Sequence, residues 1–492
     1  MKLLPSGLVR FDRHLPVYNW LYPLHGSPRA IAEDAQAVAR FLDALPTGPV
    51  RSRALYLHVP FCTSTCTFCP FVRTEEWSPE FVEAYVDALV REVRLKARHA
   101  SLAQTPVRAV YVGGGTPSVL SPDQIRRVGA ALHEYFDLTD LREFSLEMAA
   151  TSVTPERMAA ALDIGVTHAR MGVQTFDPLY RRLFHLRSTM DQVVRGVDRL
   201  LSGGFRYVCI DMLYGMHGQT PDQLLRDIHH AVDLGTPLID YYPINHVVSR
   251  PALYEGYAAH GLAPTSGLTK LAMNVLVRET MRQSGLVPHN GHGYVRVDAQ
   301  ELARDPVVTD RYSFVYHEHC YGGDAEDVLG FGVSAVSSLH GFRLTNGPDI
   351  EGYTRSLQTG DTWPFTATEH PPEVDAARGV VVRLPYHGVL PCDSVRWEAV
   401  HPHTLRALDD LKAANLVEEV DGRLRLSRAG WYWYVNLIYY LSPPEEQRIL
   451  DAYIRQKRAD PTLAIEAGET AIEPLRPVTA VDPPHTVVAG TP

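Results

Sequence analysis

Short apolar runs rich in β-branched residues alternate with longer amphipathic stretches through the first half of the chain. The short runs predict strands, and a helix start follows each of them. Strands and helices that alternate in this way imply right-handed crossovers and a parallel sheet buried on both faces. The six predicted strands are ALYLHV (54–59), VRAVYVGG (107–114), FSLEM (144–148), VTHARMGVQ (166–174), FRYVCIDMLYG (205–215) and PLIDYYPI (237–244).

Four of the predicted helices begin with the same three-residue signature. Each has a serine or threonine at the N-cap, a proline at the first helical position and an acid at the second. In a fold built from such units, reactive side chains are expected at the carboxyl ends of the strands, where the loops converge. The four signatures are Ser78-Pro79-Glu80, Ser121-Pro122-Asp123, Thr154-Pro155-Glu156 and Thr220-Pro221-Asp222.

The pattern changes class in the last quarter of the chain. Residues 404–417 predict an amphipathic helix, residues 418–426 a hairpin that turns at Asp421-Gly422, and the aromatic run 429–441 a second helix. This order is typical of a small winged-helix-like unit. Residues 401–428 hold five basic residues against five acids, so we favour a docking or substrate-covering role over DNA binding.

We therefore expect an α/β protein: a partial (β/α)6 TIM-like barrel followed by a mostly helical, winged-helix-like domain. A chain of 492 residues exceeds the size at which one core usually stops growing, which favours more than one unit. The predicted divisions are a lead segment at 1–50, the barrel at 51–260, an extension that completes it at 261–375, the winged-helix-like domain at 376–472 and a disordered tail at 473–492.

Composition and charge narrow the class of protein. The chain is 45% hydrophobic and 21% charged, as in ordinary globular proteins, and no apolar run approaches the roughly 18 residues that span a bilayer. The first apolar stretch is too short for a secretory signal. A net charge of -10 provides no field to attract phosphate backbones. We expect a cytoplasmic enzyme with neither a membrane span nor a nucleic-acid partner.

Three of the six cysteines, Cys62, Cys66 and Cys69, fall within eight positions in a C-x3-C-x2-C spacing just past the first predicted strand. Reduced thiols are expected in a chain without a secretory signal, which disfavours three disulfides. A structural zinc site needs a fourth thiolate or imidazole at a finger spacing, and none follows here. Three protein ligands suit an open site, such as a 4Fe-4S cluster that leaves one iron free. We predict that these cysteines ligate such a metal centre.

This spacing, with Phe68 before the third cysteine, resembles the signature of radical S-adenosylmethionine (SAM) enzymes. The preceding Tyr56-x-His58-x-Pro60-Phe61 is similar to the branch called HemN-like, after oxygen-independent coproporphyrinogen III oxidase. The resemblance runs through about residues 50–355. It implies a cluster whose unique iron chelates SAM and cleaves it to a 5'-deoxyadenosyl radical. The protein then has to position and shield that chemistry.

The resemblance also implies a set of SAM contacts at successive strand ends. Residues 113–116 are similar to the family's glycine turn, where no Cβ hinders the approach of backbone to the methionine part of SAM. Glu147 looks like the acid that meets a SAM amino group, and Asp211 like the acid that contacts a ribose. Gln174 is expected to contact a ribose or a second SAM, and Arg187 a SAM carboxylate. The full implied set is Tyr56, Gly113, Gly114, Gly115, Thr116, Glu147, Gln174, Arg187 and Asp211.

Some departures bear on which branch the chain resembles most. Pro70 and Phe71 stand where the oxidase has a further cysteine, and the segment after the sixth strand differs too, which disfavours porphyrinogen decarboxylation. Residues 327–337 match the late motif of the heme chaperone branch only in part. Residues 329–346 and the aromatic run 429–441 look most like the class C radical SAM methyltransferases, with their cyclopropane-forming and heme-ring-opening relatives.

That resemblance implies two SAM molecules. The radical from one takes hydrogen from the methyl of the other, and the methylene radical adds to an sp2 carbon of a small unsaturated or aromatic substrate, expected to be a specialised metabolite. Methylation and cyclopropanation both stay open, and a heme chaperone or heme-processing protein is the alternative. Flavodoxin or ferredoxin is the expected electron donor. Water has to be excluded while the radical lives.

Two further features have two interpretations each. Cys320 is a candidate catalytic residue that relays hydrogen or a proton after the addition, or it is a buried small hydrophobic residue. The aromatic side chains of the run 429–441 either form a lid for a flat substrate or dock the small domain onto the barrel. Cys209 and Cys392 are predicted to be structural.

Overall fold

A computed structural model describes residues 22–31, 34–45, 50–246, 249–322, 325–339 and 341–459. The tail predicted to be disordered, 473–492, lies outside the described residues. The strands are β1 (Ser27–Arg29), β2 (Ser52–Val59), β3 (Val107–Gly114), β4 (Glu143–Met148), β5 (His168–Gln174), β6 (Tyr207–Tyr214), β7 (Leu238–Pro243), β8 (Leu286–Pro288), β9 (Gly293–Arg296), β10 (Glu326–Phe331), β11 (Val336–Leu339), β12 (Phe342–Asn346), β13 (Phe365–Glu369), β14 (Val389–Pro391), β15 (Val417–Val420) and β16 (Arg423–Leu426).

Helices occupy most of the segments between these strands. They are α1 (Ala35–Asp43), α2 (Pro79–Ala97), α3 (Ala100–Ala103), α4 (Pro122–Tyr135), α5 (Pro155–Asp163), α6 (Pro178–Leu183), α7 (Met190–Ser202), α8 (Pro221–Asp233), α9 (Pro251–Ala259), α10 (Gly267–Gln283), α11 (Ala299–Ala303), α12 (Val315–Cys320), α13 (Ile350–Thr359), α14 (Pro372–Ala376), α15 (Leu384–His387), α16 (Pro402–Ala413), α17 (Arg428–Tyr432), α18 (Tyr434–Leu441) and α19 (Pro444–Ala459).

Thirteen strands form one mixed sheet in the order β1-β13-β12-β11-β10-β2-β3-β4-β5-β6-β7-β9-β8. Its centre, from β10 through β2 to β7, is parallel, and antiparallel strands extend both ends. The predicted strands are β2 to β7, and every predicted bound lies within two residues of the observed one. The expected α/β class with a partial (β/α)6 barrel is confirmed.

The four predicted helix starts are observed as N-caps. Each cap lies at the end of a loop that leaves the carboxyl end of a strand. The caps therefore fix the loops in which the candidate site residues were expected. A cap of this kind contributes about 1 kcal/mol to the stability of its helix. The side-chain oxygens of Ser78, Ser121, Thr154 and Thr220 accept hydrogen bonds from the backbone N–H groups of Phe81, Gln124, Arg157 and Gln223, respectively.

The segment before and within α12 fills the amino-terminal end of the barrel. Tyr312 and Phe314 pack with Cys209 and Leu238, near the starts of β6 and β7. Val315 packs with alanines of β2 and β3. The barrel is therefore closed at this end, and the space inside it is bounded from below by aromatic rings.

A buried ion pair ties helix α2 to the strands beside β2. Glu92 and Lys96 are 0% and 1% exposed, and their charged atoms are 2.6 Å apart. Glu92 also accepts hydrogen bonds from the N–H of Gly332 at 2.7 Å and from the hydroxyl of Tyr353 at 2.6 Å. Lys96 donates to the carbonyl of Gly330 at 2.6 Å. This satisfied network holds the glycine-containing segment after β10 against the barrel.

The C-terminal unit has a separate three-stranded sheet in the order β14-β16-β15. The predicted hairpin is confirmed: its two-residue turn has positive φ angles at Asp421 (51°) and Gly422 (69°). The predicted first helix is present as α16 and ends earlier than expected. The predicted second helix is instead divided into α17 and α18, because Trp433 leaves the helical conformation with φ -106° and ψ 14°. The domain boundaries themselves stay predictions.

Among the described helices, none is both long and apolar enough to cross a bilayer.

We expect Glu92→Gln to lower the free energy of unfolding by about 3 to 5 kcal/mol, because it leaves the buried Lys96 ammonium without its counter-charge. Urea unfolding followed by circular dichroism measures this. Glu83→Gln on the same helix is the matched control, since Glu83 pairs with Arg127 at the surface, with side chains 46% and 41% exposed. That control should cost no more than about 1 kcal/mol. Equal effects of the two variants would contradict the interpretation.

Candidate active site

The three cysteines lie on the loop that leaves the carboxyl end of β2. Cys62 is buried, and Cys66 and Cys69 are half-buried. The Arg73 guanidinium donates to the carbonyl oxygen of Cys69 at 2.9 Å and also to that of Cys66. The indole N–H of Trp77 donates to the carbonyl oxygen of Cys62 at 2.8 Å. The protein thus holds this loop by its backbone, which leaves the thiols available.

The same loop is anchored to the region of α6 and α9. The Thr67 hydroxyl donates to the carbonyl of Leu183 at 2.8 Å, and the N–H of Arg250 donates to the carbonyl of Thr67 at 3.1 Å. Phe68 packs edge-on against Phe184, with ring centroids 4.8 Å apart. The aromatic residue before the third cysteine therefore has a packing role.

The thiols lie in surroundings that disfavour thiolates. Burial raises the pKa of Cys62 to about 11 and that of Cys66 to about 12, and the pKa of Cys69 is raised for the same reason. The other cysteines of the triad raise the pKa of Cys66 further. The Thr116 hydroxyl counteracts this at Cys62, where it donates to Sγ at 3.7 Å. Thiolates here need an adjacent positive charge, which an iron-sulfur cluster supplies.

The spacing of the three sulfur atoms also fits a cluster better than a single ion. Zinc holds its thiolate ligands at about 2.3 Å, so the sulfur atoms around it lie close together. In the described part of the chain, the only set of at least three His, Cys, Asp or Glu ligand atoms all within 4.8 Å of one another is Cys209, Asp211 and Asp240. The three cysteine sulfur atoms are therefore not all within 4.8 Å of one another, so as placed they do not form the compact set that a single zinc ion needs.

The predicted glycine turn, residues 113–116, ends β3 and packs onto the end of β2. The N–H of Gly115 donates to the carbonyl of Val59 at 2.7 Å, and that of Thr116 to the carbonyl of Phe61 at 2.8 Å. A Cβ on Gly115 would lie 2.8 Å from the Phe61 oxygen. These two amides are therefore used in hydrogen bonds within the protein, and position 115 needs a glycine because the backbone packs too closely there for a side chain. Contact of the turn with SAM stays a prediction.

Glu147 lies at the end of β4, half-buried on the inner face of the barrel. Its carboxylate accepts a hydrogen bond from the Tyr111 hydroxyl at 2.6 Å. Burial raises the pKa of Glu147, against the effect of this hydrogen bond and of Arg170. An ammonium group placed beside the carboxylate would stabilise its ionised form. This environment suits the predicted contact with a SAM amino group.

Tyr56 is coupled to His58 on the same strand. The Tyr56 hydroxyl lies 2.9 Å from His58 Nδ1, and His58 Nε2 lies 2.8 Å from the carbonyl oxygen of Val72. Because a carbonyl only accepts, Nε2 carries the proton and Nδ1 accepts from Tyr56. Burial lowers the pKa of His58 to about 4, so the ring is neutral. The pair connects β2 to the far side of the cysteine loop.

Gln174 and Arg187 differ in where they lie. Gln174 ends β5 with φ of 71°, a conformation rarely adopted by residues other than glycine and found most often at functional sites. Its side-chain nitrogen lies over Gly172, 2.5 Å from where a Cβ would be. Arg187 lies at the rim, 72% exposed, with its guanidinium 3.9 Å from Glu75 of the cysteine loop. Arg187 is therefore not among the residues that face the inside of the barrel.

Asp211 on β6 contacts a buried arginine that sequence analysis missed. Arg170 on β5 lies 3.3 Å from Asp211, contacts Asp240 more closely, and stacks on Phe314 at 4.4 Å. Burial opposes the cation, but Cys209 and the two aspartates raise the pKa of Arg170 overall. Burial raises the pKa of Asp211 against the effect of Arg170. The close Cys209–Asp211–Asp240 set is therefore neutralised by a guanidinium and is not a metal site.

Three tyrosines form one wall of the space inside the barrel. The Tyr316 ring stacks on Tyr111 at 4.7 Å and on Tyr56 at 5.9 Å. Cys320 lies one turn further along α12 against the same apolar cluster as Tyr56 and Tyr316, and burial raises the pKa of its thiol to about 12. Cys320 is therefore protonated at neutral pH. These residues are half-buried although they face inward, so they line a space that we call the barrel chamber, bounded by Tyr56, Tyr111, Glu147, Gln174, Asp211, Tyr242, Tyr316, His317 and Cys320.

Some of the chamber residues were within reach of sequence analysis. Side chains on one face of a strand recur every second residue. Counting back two positions from Gly113 gives Tyr111, and counting back two from Gly172 gives Arg170. Tyr316 carried no such signal, because the extension that contains it lacks a regular pattern.

The aromatic run of the C-terminal unit docks that unit onto α10. Arg278 of α10 lies over the rings of Trp431 and Tyr434 at 5.0 and 5.5 Å. The Asn274 side chain donates to the carbonyl of Tyr432 at 3.2 Å. These contacts favour the docking interpretation over a lid that covers the substrate.

Comparison with known proteins shows which superfamily this arrangement of residues matches. Residues 56–231 match the family model described as the radical SAM superfamily. This segment is a radical SAM domain, and the curated relatives of the chain are HemN-like. The match implies a 4Fe-4S cluster and SAM as cofactors, and the cysteine triad with the chamber residues beside it fits both.

Three curated relatives show how far the likeness extends. The chain is 25% identical over 461 residues to anaerobilin synthase of Escherichia coli O157:H7, a match that covers 93% of this chain and 98% of that protein. It is 26% identical to the heme chaperone HemW of Lactococcus lactis, over 63% of this chain and 76% of the relative. It is 27% identical to oxygen-independent coproporphyrinogen III oxidase of Bradyrhizobium diazoefficiens, over 70% and 75%.

The fold resembles the solved structure of coproporphyrinogen III oxidase (HemN) from Escherichia coli. The TM-score is 0.67 at 21% identity, with 85% of this chain and 97% of that one covered. The shared fold thus includes the barrel and its additions. The class C methyltransferase subtype is not among the relatives described above.

Replacing any one cysteine of the triad by alanine should abolish the brown absorbance and the bound iron after anaerobic reconstitution, because three protein ligands are the minimum for this site. Iron and sulfide analysis measures this. Cys392→Ala is the matched control, since Cys392 lies in the C-terminal unit, and it should retain full iron content. A triad variant with wild-type iron would contradict the assignment.

Glu147→Gln should weaken SAM binding about tenfold, or roughly 1.4 kcal/mol, because the amide loses the charge that attracts the SAM ammonium. Equilibrium dialysis with labelled SAM measures the Kd, and iron content should not change. Tyr111→Phe is the control, because it removes only one hydrogen bond to the carboxylate and should have a smaller effect. An unchanged Kd for Glu147→Gln would remove this residue from the SAM site.

Proposed function

We propose that the chain is a radical SAM C-methyltransferase or cyclopropanase that binds two SAM molecules and modifies an sp2 carbon of a small unsaturated substrate, a specialised metabolite. When bound, the cluster and SAM supply the carbon radical that activates the methyl group of the second SAM. The chain's own residues bind and orient these molecules and exclude water from them. The cytoplasm is the proposed location, and a flavodoxin or ferredoxin the proposed electron donor.

The observation that carries the proposal is the lining of the barrel chamber, which is polar on one side and aromatic on the other. One side presents polar groups from three neighbouring strands: Glu147 and Gln174 at the carboxyl ends of β4 and β5, and Asp211 within β6. The other side is the stacked wall of Tyr56, Tyr111 and Tyr316. The polar side suits the charged and ribose parts of SAM, whereas flat aromatic faces suit a planar unsaturated substrate.

The position of Cys320 supports a late role in the reaction. Its thiol lies one helical turn from Tyr316, at the wall where a substrate would stack, and burial keeps it protonated. A protonated thiol can give the substrate a hydrogen atom, which leaves a thiyl radical for the proposed electron donor to reduce, or a proton, which leaves a thiolate. Both roles expected for Cys320 therefore start from the thiol form.

A heme-processing or heme-carrying function is the second candidate. His317 faces the chamber, burial holds its pKa well below the usual range, and its Nδ1 has no hydrogen-bond partner. A neutral imidazole of this kind is a common ligand of heme iron. The relatives named above include a heme chaperone and coproporphyrinogen III oxidase, and the match to anaerobilin synthase includes the C-terminal unit.

Incubation of the anaerobically reconstituted protein with methyl-deuterated SAM and a reductant separates the two candidates. We expect deuterium in the 5'-deoxyadenosine, measured by mass spectrometry, because the methyl of the second SAM is the hydrogen donor. Unlabelled SAM is the control. Deuterium-free 5'-deoxyadenosine together with stoichiometric heme binding would favour the heme carrier and overturn the methyltransferase proposal.

Cys320→Ala should leave iron content and SAM cleavage within about twofold of wild type while it lowers product formation at least tenfold, because hydrogen delivery follows cleavage. Cys209→Ala is the matched control, since that cysteine packs at the closed end of the barrel with Leu238 and Phe314. Product formation by Cys320→Ala at the wild-type rate would remove the thiol from the mechanism.

A further inference from the structure

Two buried histidines face each other in the loops that follow β6 and β7. The ring centroids of His217 and His246 are 4.1 Å apart, and each residue is 2% exposed. Tyr257 of α9 stacks on His217 at 4.5 Å. Lys270 of α10 is 3% exposed and acts electrostatically on both imidazoles. No part of the proposed reaction uses this set, which we call the donor pocket.

The donor pocket concentrates unsatisfied polar atoms. Buried polar groups in folded proteins are almost always paired with protein, water or a ligand, and leaving one unpaired costs about 1 to 3 kcal/mol. Several such atoms in one place indicate that something polar occupies it. The buried atoms without a hydrogen-bond partner here are His217 Nδ1, Gln219 Nε2, Asn245 Oδ1, His246 Nε2 and the hydroxyl of Tyr257.

Each of these groups can donate a hydrogen bond in one of its tautomers or orientations. The Gln219 oxygen already accepts from the N–H of Gly215 at 2.8 Å, so its free nitrogen is a donor. Burial, with Lys270 adding to it, lowers the pKa of His217 to about 3 and that of His246 as well, so each neutral ring presents one N–H. The amide of Asn245 presents its NH2 group after a half-turn. Donors gathered beside an ammonium select an anion that accepts several hydrogen bonds.

The pocket adjoins the chamber. Leu213, Met216 and Ile244, from the ends and following loops of β6 and β7, share one hydrophobic cluster with Phe68 of the cysteine loop and Tyr242 of the chamber. The donor pocket and one wall of the chamber are thus packed against the same apolar side chains. We propose that the donor pocket binds a carboxylate of the organic substrate. This rests on the proposed function only in requiring that a substrate occupies the chamber.

The test uses bromide as the probe, because it is a monovalent anion that X-ray anomalous scattering locates directly. Crystals of the full chain with its cluster, grown in sodium bromide, should show a bromide within hydrogen-bond distance of His217 and His246. Lys270→Met should abolish that peak, since it keeps the buried stem and removes the charge. Lys412→Met is the control: Lys412 pairs with Glu419 at the surface, and its loss should leave the peak in place.

Ordered waters in place of bromide in the wild type, or an equal peak in Lys270→Met, would overturn the proposal. If Lys270→Met does not fold, Gln219→Met serves in its place, with bromide occupancy expected to fall at least threefold. SAM also carries a carboxylate, so calorimetric titration of wild type and variant with SAM distinguishes the source. We expect SAM affinities within twofold of each other; a tenfold loss would assign the pocket to SAM. None of these readouts depends on methyl transfer.

Discussion

Two other segments of backbone pack against the end of β2, one on each side. Each approaches β2 so closely that it has no room for a side chain. On one side Gly115 lies where a Cβ would be 2.8 Å from the carbonyl oxygen of Phe61. On the other, Gly332 has φ of 90°, and a Cβ there would lie 2.5 Å from the carbonyl oxygen of His58. The loop that carries the cysteines starts at this point. Its position therefore depends on two glycines from different parts of the sequence.

The buried Glu92–Lys96 network connects the end of β2 and Gly332 to helix α2. Glu92 accepts from the N–H of Gly332, and the Tyr85 hydroxyl donates to the carbonyl of His58, so helix α2 contacts both the glycine segment and the strand that it grips. A buried ion pair is weak evidence for stability, but a fully satisfied one specifies a single arrangement. The segment 329–346, which resembles one branch of the family in sequence, thus has a structural role behind the active site.

The inside of the barrel combines fixed charge with neutral imidazoles. Arg170 neutralises two aspartates, whereas burial keeps His58 and His317 uncharged. The interior of the barrel therefore combines two kinds of polar group: charges that are paired with one another and rings that burial keeps neutral.

The sequence by itself determined the strands β2 to β7, the helix caps and the cysteine triad, because each depends on local rules: the alternation of apolar residues, the hydroxyl-proline-acid start and the ligand spacing. Resemblance to the family also pointed to Glu147, Gln174 and Asp211, which the structure places around the chamber, and their contacts with SAM stay predictions. Only the tertiary structure decided that Arg170 bridges Asp211 and Asp240, that Tyr316 reaches the chamber from a distant segment, and that the aromatic run docks on α10. Those contacts join residues far apart in the chain, and local pattern carries no information about which of them meet.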